Sequence, residues 1–384
     1  MARVVSFLSV LAVLAVVFVL SSCLLSPSPS SDSSPSSSSS PLSSGPIYVS
    51  TSGNDANDGL SPSKPVRTLV KAMEIANNMD KAANVVIKVG SGVYTPGSGL
   101  SSSGSGFVIN RPNIVISGGW NSYFSSVEGK SELDGNGSLY HVVIITNVTN
   151  VRLENLVIRG GNANGSYPDD RGGGIYVLNV SYLVIESNVV ISNNSALAGG
   201  GLYLNNSTNT TISGSVYSNR ANSGNGGGLY LENSPNTTMS GSVYSNSANN
   251  RGGGLYLYNS PNTTMSGSVY GNSANNGGGV YLRNSQNITI SGSVYSNSAN
   301  NGGGLYLLYS PNTTISGSVY GNSANQYGGG VYLYYSDYFT NTGWITNNTV
   351  TSYGGSGGGV YRYGSYANSY FGNVSGNSPN DIAP

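Results

Sequence analysis

Between residues 132 and 171 the chain carries Glu132, Asp134, Arg152, Glu154, Arg159, Asp169, Asp170 and Arg171. Two carboxylates roughly 5–10 Å apart can serve as acid and base, or acid and nucleophile, on a glycosidic bond. Paired carboxylates beside a cation can also supply hard oxygen ligands. Asp134, Glu154, Asp169, Asp170 and Arg171 are therefore the catalytic candidates. The competing reading is a solvated surface. Asp169 and Asp170 follow Ser166-Tyr167-Pro168, a loop in which exposed acids are ordinary. Arg171 directly precedes a GGG triplet. That position later holds Ala198, Asn225, Arg251, Asn276, Asn301, Tyr327 and Ser356, which reads as a variable, exposed corner.

Other chemistry is sparse. The chain has 15 Lys plus Arg, 15 Asp plus Glu and a net charge of zero, which leaves no electrostatic footprint for nucleic acid. One cysteine excludes a disulfide scaffold or a cysteine-ligated zinc, and the single histidine, His141, excludes a histidine cluster. His141 reads as an exposed strand residue. Asp55, Asn57 and Asp58 in GNDANDG lack the spacing of a calcium-binding helix-loop-helix, because Ala56 and Pro65 fall on ligand positions. They read as an Asx-rich turn. The glycine runs are followed by neither a helix nor a lysine, so they are not phosphate loops. No metal site is expected, and no cofactor. Ca2+ would enter only if the acids above form an enzyme site.

The elements that must hold these groups are set by a repeat. GGG begins at Gly172, Gly199, Gly226, Gly252, Gly277, Gly302, Gly328 and Gly357, at intervals of 27, 27, 26, 25, 25, 26 and 29 residues. One unit reads GGGLYLENSPNTTMSGSVYSNSANNR, residues 226–251. A fixed period of this length denotes a solenoid. Leu229-Tyr230-Leu231 and Met239 to Val243 alternate apolar and polar residues with period two, the pattern of strands. Two or three short strands with Gly and Asn turns make one rung of a parallel β-helix, with rungs stacked ~4.8 Å apart. Asn219, Asn246, Asn272, Asn297 and Asn322 should hydrogen-bond from rung to rung. Outward-facing tyrosines should form two columns. One comprises Tyr203, Tyr230, Tyr256, Tyr281, Tyr306 and Tyr332, the other Tyr217, Tyr244, Tyr270, Tyr295 and Tyr320. They read as self-stacking columns or as an aromatic face for sugar rings. Only Glu186, Arg220, Glu232, Arg251 and Arg283 are charged between Gly172 and Ser336, so a catalytic groove along these rungs is not expected.

Upstream, Asn84 to Val89, Phe107 to Asn110, Asn113 to Ile116, His141 to Thr146 and Val151 to Ile158 read as strands of earlier rungs. Leu69, Ala72, Met73 and Ala76 follow helical spacing after Thr68 and predict a capping helix over the open end of the core. Past residue 335 the repeat decays toward a C-terminal cap. Residues 1–22 have the layout of an export signal, with Arg3 followed by the apolar run Val4 to Leu20. Leu20-Ser21-Ser22-Cys23 resembles a bacterial lipoprotein signal, which makes Cys23 the expected lipidation site. Residues 24–45 are Ser/Pro-rich and predict a solvated tether. The expected organisation is therefore 1–22 signal, 23–45 lipidated cysteine and tether, 46–171 cap and early rungs, and 172–384 repeat rungs and C-terminal cap.

YVSTSGNDANDGLSPSKPVRTLVKAMEIA (48–76), VIKVGSGVYTP (86–96), ISGGWNSYFS (116–125), LDGNG (133–137) and ENLVIRGGNANG (154–165) precede GGGIY. In that order they resemble a family of bacterial right-handed parallel β-helix surface proteins, related to pectin lyase-fold and polymorphic outer-membrane proteins. The resemblance covers nearly everything from residue 46 on. It implies an all-β, right-handed parallel β-helix with an N-terminal capping helix. It leaves activity open, since the fold hosts enzymes, adhesins and structural proteins. The expectation is an exported lipoprotein anchored in a membrane through Cys23, at the cell surface or outer membrane. Its role would be adhesion, envelope structure or polysaccharide binding, with polysaccharide or another cell surface as partner. The alternatives are a polysaccharide lyase or glycoside hydrolase acting in the early rungs, and a passive spacer.

Overall fold

The computed structural model describes residues 45–384 apart from 102, 103 and 366. The signal segment, Cys23 and residues 24–44 lie outside the described residues. In the unit 226–251 the chain forms strands at Leu229–Glu232, Thr238–Met239, Val243–Tyr244 and Ser247–Ala248. Left-handed residues separate them: Gly226 (φ 68°), Asn233 (φ 50°), Asn236 (φ 59°) and Ser245 (φ 54°). Gly and Asn enter this region at lower cost than other residues. The chain therefore turns at the same places in every lap. Met239 and Val243 do not share one strand, because a corner at Ser240–Ser242 sends them to different sheets.

Each strand pairs in parallel with its counterparts one lap before and one lap after. Leu229 aligns with Leu255, Met239 with Met265 and Val243 with Val269. The stacked strands make a first face and a third face of 11 strands each, a second face of 15, and a small three-stranded sheet near the C-terminal end. The result is an all-β parallel β-helix of about 11 turns. Inward residues such as Leu231, Leu257 and Leu282, or Met239, Met265 and Ile290, form continuous buried columns. Full burial of such a side chain is worth about 1.5–3 kcal/mol.

Polar ladders run inside the coil beside the apolar columns. Asn219, Asn246, Asn272, Asn297 and Asn322 are each 1% exposed. The Nδ2 of each donates to the Oδ1 of the next at 2.9–3.1 Å. Each Oδ1 also accepts the backbone N–H of the Asn before it, as in Asn246 N to Asn272 Oδ1 at 2.9 Å. The same Nδ2 reaches a strand carbonyl, as in Asn272 to Val243 O at 3.0 Å. The ladder continues through Asn194, Asn348 and Asn377, and the acceptor-only carboxylate of Asp381 receives its last two donors at 2.9 Å. A second ladder runs through Ser234, Ser260, Ser285 and Ser310, backbone N–H to Oγ at 3.0–3.1 Å.

The GGG triplet fits this packing residue by residue. Gly226 has φ 68°. A Cβ on Gly227 would lie 2.4 Å from two carbonyl oxygens, Gly253 O and Ser247 O. One on Gly228 would lie 3.0 Å from the Asn246 amide.

The capping helix spans Leu69–Asn77 with Thr68 as N-cap, and it buries Leu69, Ala72, Met73, Ile75 and Ala76. Its far end is closed by Arg111, a fully buried arginine whose guanidinium donates to the carbonyls of Ala76, Asp80 and Ala83. A cation suits the negative end of the helix dipole. Two expectations change. The strand expected over Val151 to Ile158 is two strands, Thr149–Glu154 and Leu156–Ala163, split by Asn155 at φ 54°. Past residue 335 the sequence repeat decays but the coil does not: Val360–Tyr363, Asn373–Ser375 and Ile382–Ala383 still pair in register.

Asn272→Ala should lower stability by roughly 2–6 kcal/mol, because it leaves the Asn246 N–H and the Val243 carbonyl buried without partners. Asn300→Ala, which removes two exposed amide ladder contacts at 3.2 and 2.7 Å, should change stability by less than about 0.5 kcal/mol. Chemical denaturation of the two variants side by side tests the difference.

Candidate functional site

The acidic candidates are held by separate partners: Asp134 by Arg159, Glu154 by Arg152, Asp170 by Arg171 and Asp169 by His141. Asp134 lies on Ser131–Leu139 of the second face, and Arg159 in the adjacent strand binds both it (2.9 Å) and Glu132. Glu154 closes Thr149–Glu154 of the first face and pairs with Arg152 at 3.4 Å, while Arg152 also holds Glu186 at 2.9 Å. Asp169, Asp170 and Arg171 lie in the loop leading into the third face. Among the described residues no group of three or more His, Cys, Asp or Glu side chains is arranged to hold a metal ion. In GNDANDG, the Asp55 carboxylate accepts the N–H groups of Arg67 and Thr68 and the Thr68 hydroxyl, so it fastens the start of the helix.

The loop carrying Asp169 to Arg171 has a packing role. Arg171 is half-buried and reaches Glu232 at 3.2 Å and the Tyr203 hydroxyl at 3.2 Å. Tyr203 in turn donates to Glu232. The Arg171 guanidinium sits 5.3 Å from the Tyr203 ring and 5.9 Å from that of Tyr230. His141 is buried, at 1% exposure, rather than exposed. Its ring nitrogens lie 3.0 Å from Gly172 O and 3.3 Å from Asp169 Oδ1, and its ring packs on Tyr176 at 5.1 Å. The physical reason is the loop itself, which folds back over the strand that His141 begins.

That roof explains the first tyrosine column. Tyr203, Tyr230, Tyr256, Tyr281 and Tyr332 lie outside the main core, as their parity requires, yet all are buried, and Tyr306 is half-buried. In several laps the residue before GGG packs against them, as Arg171, Ala198, Arg251 and Tyr327 do. Arg251 covers Tyr281 at 5.6 Å, and Tyr327 packs on Tyr332 at 6.4 Å and on Tyr361 at 4.6 Å. The position read as an exposed corner is therefore half-buried or buried in every lap.

The second column is open. Tyr217, Tyr244, Tyr270 and Tyr295 are half-buried and Tyr320 is exposed. Their rings stack at 4.8, 4.8, 4.8 and 5.0 Å, with interplanar angles of 14°, 2°, 5° and 6°. Each ring face is thus spent on its neighbours. The column presents hydroxyl-bearing edges to solvent, on a face whose adjacent outward row is serine (Ser215, Ser318). The stack ends where Ser192 precedes Tyr217 and where Thr346 follows Tyr320 in register; beside the latter, Trp344 is 55% exposed. The sequence reading missed Tyr309, Tyr335 and Tyr338, which are about half exposed. Their signal was available as Tyr in place of a repeated Asn.

A recess of about 460 Å³ lies between the capping helix and the third face, with Val70, Met73, Glu74, Val108 and Asn110 among its lining; none of the candidate residues lines it.

The family model described as "Right handed beta helix region" matches residues 216–375, which fixes the hand of the coil. Among solved structures, pectate lyase Pel9A is 16% identical, with a TM-score of 0.49, and the match covers 89% of this chain and 79% of that one. The GH136 lacto-N-biosidase from Eubacterium ramulus is 13% identical, with a TM-score of 0.34 and coverage of 88% and 68%. No curated protein sequence matches the chain.

Burial pushes the phenols of Tyr281 and Tyr332 up to about 12 from an ordinary 10.0. Once unfolded they would release protons near pH 10 that the folded chain retains. Between pH 10 and 12 the unfolded state thus binds fewer protons, and stability falls as pH rises through that window. Denaturation midpoints should be level up to about pH 9 and drop above 10. Full phenolate absorbance near pH 10 with the fold intact would mean the first column is not roofed.

Proposed function

We propose that this chain is an exported, lipid-anchored surface protein whose β-helix binds polysaccharide without cleaving it. The observation that carries the reading is the open tyrosine column, an in-register row of hydroxyl edges flanked by an outward row of serines. Such a surface matches a neutral, hydroxyl-rich polymer better than a charged one. Engagement of Asp134, Glu154 and Asp170–Arg171 in separate ion pairs supports a structural use of those groups, not an acid–base pair. Binding of this kind needs no cofactor. The export signal and Cys23 support a membrane-anchored location with the β-helix held off the surface by the Ser/Pro tether.

Two experiments test this. Cys23→Ala should shift the protein from the membrane fraction to the soluble one; continued membrane fractionation would exclude the lipid anchor. On the full chain bearing Cys23→Ala, soluble neutral polysaccharides such as β-glucan, xylan and galactomannan are screened by affinity electrophoresis. Changing all five of Tyr217, Tyr244, Tyr270, Tyr295 and Tyr320 to Phe keeps the ring stack and removes the hydroxyls. At about 0.5–1.5 kcal/mol per hydrogen bond, affinity should fall at least about tenfold, with little change in Tm. Unchanged affinity would reject the column as the binding face. Release of reducing ends or unsaturated sugars, abolished by Asp134→Asn, Glu154→Gln or Asp169→Asn, would establish an enzyme instead.

A further inference from the structure

At the two corners between the third and first faces, the repeat uses left-handed asparagine. Asn206, Asn233, Asn259 and Asn284 occupy one corner at φ 49–51°, and Asn209, Asn236, Asn262, Asn287 and Asn312 the other at φ 54–59°. These side chains also form surface ladders, such as Asn259 to Asn233 at 3.2 Å and Asn312 to Asn287 at 3.3 Å. In the later laps the first corner becomes Tyr309 (φ 48°) and Tyr335 (φ 43°), and the second becomes Tyr338 (φ 57°). A bulky aromatic is far less suited to this conformation than asparagine, and each exchange also gives up an amide of the ladder. Folding gains nothing evident from it. Strain kept against an available unstrained residue clusters at functional sites.

The exchange creates open ring surface. Tyr309, Tyr335, Tyr338 and Tyr363 are 51%, 47%, 50% and 46% exposed. Tyr309 and Tyr335 lie nearly parallel, 16° apart with centroids at 5.7 Å; Tyr334 and Tyr363 form a second near-parallel pair at 13° and 5.0 Å. The two pairs stand almost at right angles, 75° between Tyr334 and Tyr335 and 83° between Tyr335 and Tyr363. Room for the Tyr335 ring comes from Gly364, which takes the corner position one lap later. A Cβ there would lie 2.4–2.9 Å from three atoms of that ring. The neighbouring charges are otherwise engaged: Asp337 accepts the Ala367 N–H at 3.0 Å, and the Arg362 guanidinium lies over Phe371 at 5.3 Å.

We infer that this corner of Tyr309, Tyr334, Tyr335, Tyr338 and Tyr363 is a binding site for the pyranose rings of a neutral polysaccharide. The inference rests on the polysaccharide-binding reading above and gives it a second, geometrically distinct site. The rings brace one another edge to face, and the half-exposed surface left on Tyr309, Tyr338 and Tyr363 is available to the C–H face of a sugar, with a hydroxyl on every ring for its equatorial oxygens. The five side chains are all amphipathic tyrosines, which favours a sugar over an apolar protein surface.

The test restores the repeat's own residue. Tyr309→Asn/Tyr335→Asn/Tyr338→Asn, made in the full chain bearing Cys23→Ala, should raise Tm because it relieves three strained corners. It should also lower affinity for the neutral polysaccharide bound in the screen at least tenfold. Gly364→Ala, which displaces the Tyr335 ring and leaves all the tyrosines in place, should weaken binding as well, without raising Tm. Affinity unchanged in both variants, while the five-Phe column variant loses it, would overturn this site and spare the parent reading. A parent protein that binds no neutral polysaccharide overturns both. Sedimentation decides the other occupant: a dimer of the parent protein that dissociates in the triple variant would assign the corner to a second copy of the chain and overturn the sugar site.

Discussion

Everything regular in this molecule depends on a buried asparagine that hydrogen-bonds to its own copy one lap away. The amide of Asn246 donates to Asn272 and to Val216 O, and its oxygen accepts two N–H groups of Asn219. Such a ladder closes only if each lap repeats the last by pure translation at the strand spacing, ~4.8 Å. A lap out of register would leave several polar groups buried and unpaired, at roughly 1–3 kcal/mol each. The second and third glycines of each triplet meet the same constraint from the other side, since any Cβ there collides with a carbonyl or with the ladder amide.

Translation also governs what the surface can carry. A charged side chain repeated every lap would stack on its own like charge, which is unfavourable between paired strands. Charges in the repeats accordingly occur singly, as with Glu232 and Arg283 in a column that elsewhere holds Asn205, Tyr258 and Leu308. Tyrosine tolerates self-stacking and gains from it. The same stacking consumes the ring faces, so the most regular aromatic columns are the least able to stack on a ligand. Such a column offers only its hydroxyl edges outward, and less regular side-chain arrangements appear where translation is broken. Early on, the loop 164–171 folds Asp169 and Arg171 back over the coil; late in the chain, Tyr replaces Asn at the corners.

Much of this was legible from residue order. Thr68 and the spacing of Leu69, Ala72, Met73 and Ala76 place the helix where it lies. The asparagine ladder follows from recurrence of one Asn at the period of the coil. His141 to Thr146 is a strand with the expected bounds. Other features were hidden for definite reasons. Asn155 splits Val151 to Ile158 because a left-handed asparagine inside an apolar run leaves no trace in the alternation. His141 is buried because a loop about 30 residues downstream covers it, a contact that no local window contains. Arg111 has no acidic neighbour in sequence to announce it, and its partners are carbonyls of the helix end and of the turn that follows it.

The amino-acid order was sufficient for the period, the strand type, the inward columns and the cap, because each is a local pattern or its recurrence. It also supplied the candidates: the early acids, the tyrosine columns and Cys23. Accessibility was decided only in three dimensions. Two tyrosine columns of equal regularity differ because side chains such as Arg171, Ala198, Arg251 and Tyr327 pack over one and not the other. Asp134, Glu154 and Asp170 end on separate arginines because the strands and loop that carry them leave for different parts of the coil. Which way a side chain points is a property of the strand; what lies above it is a property of the fold.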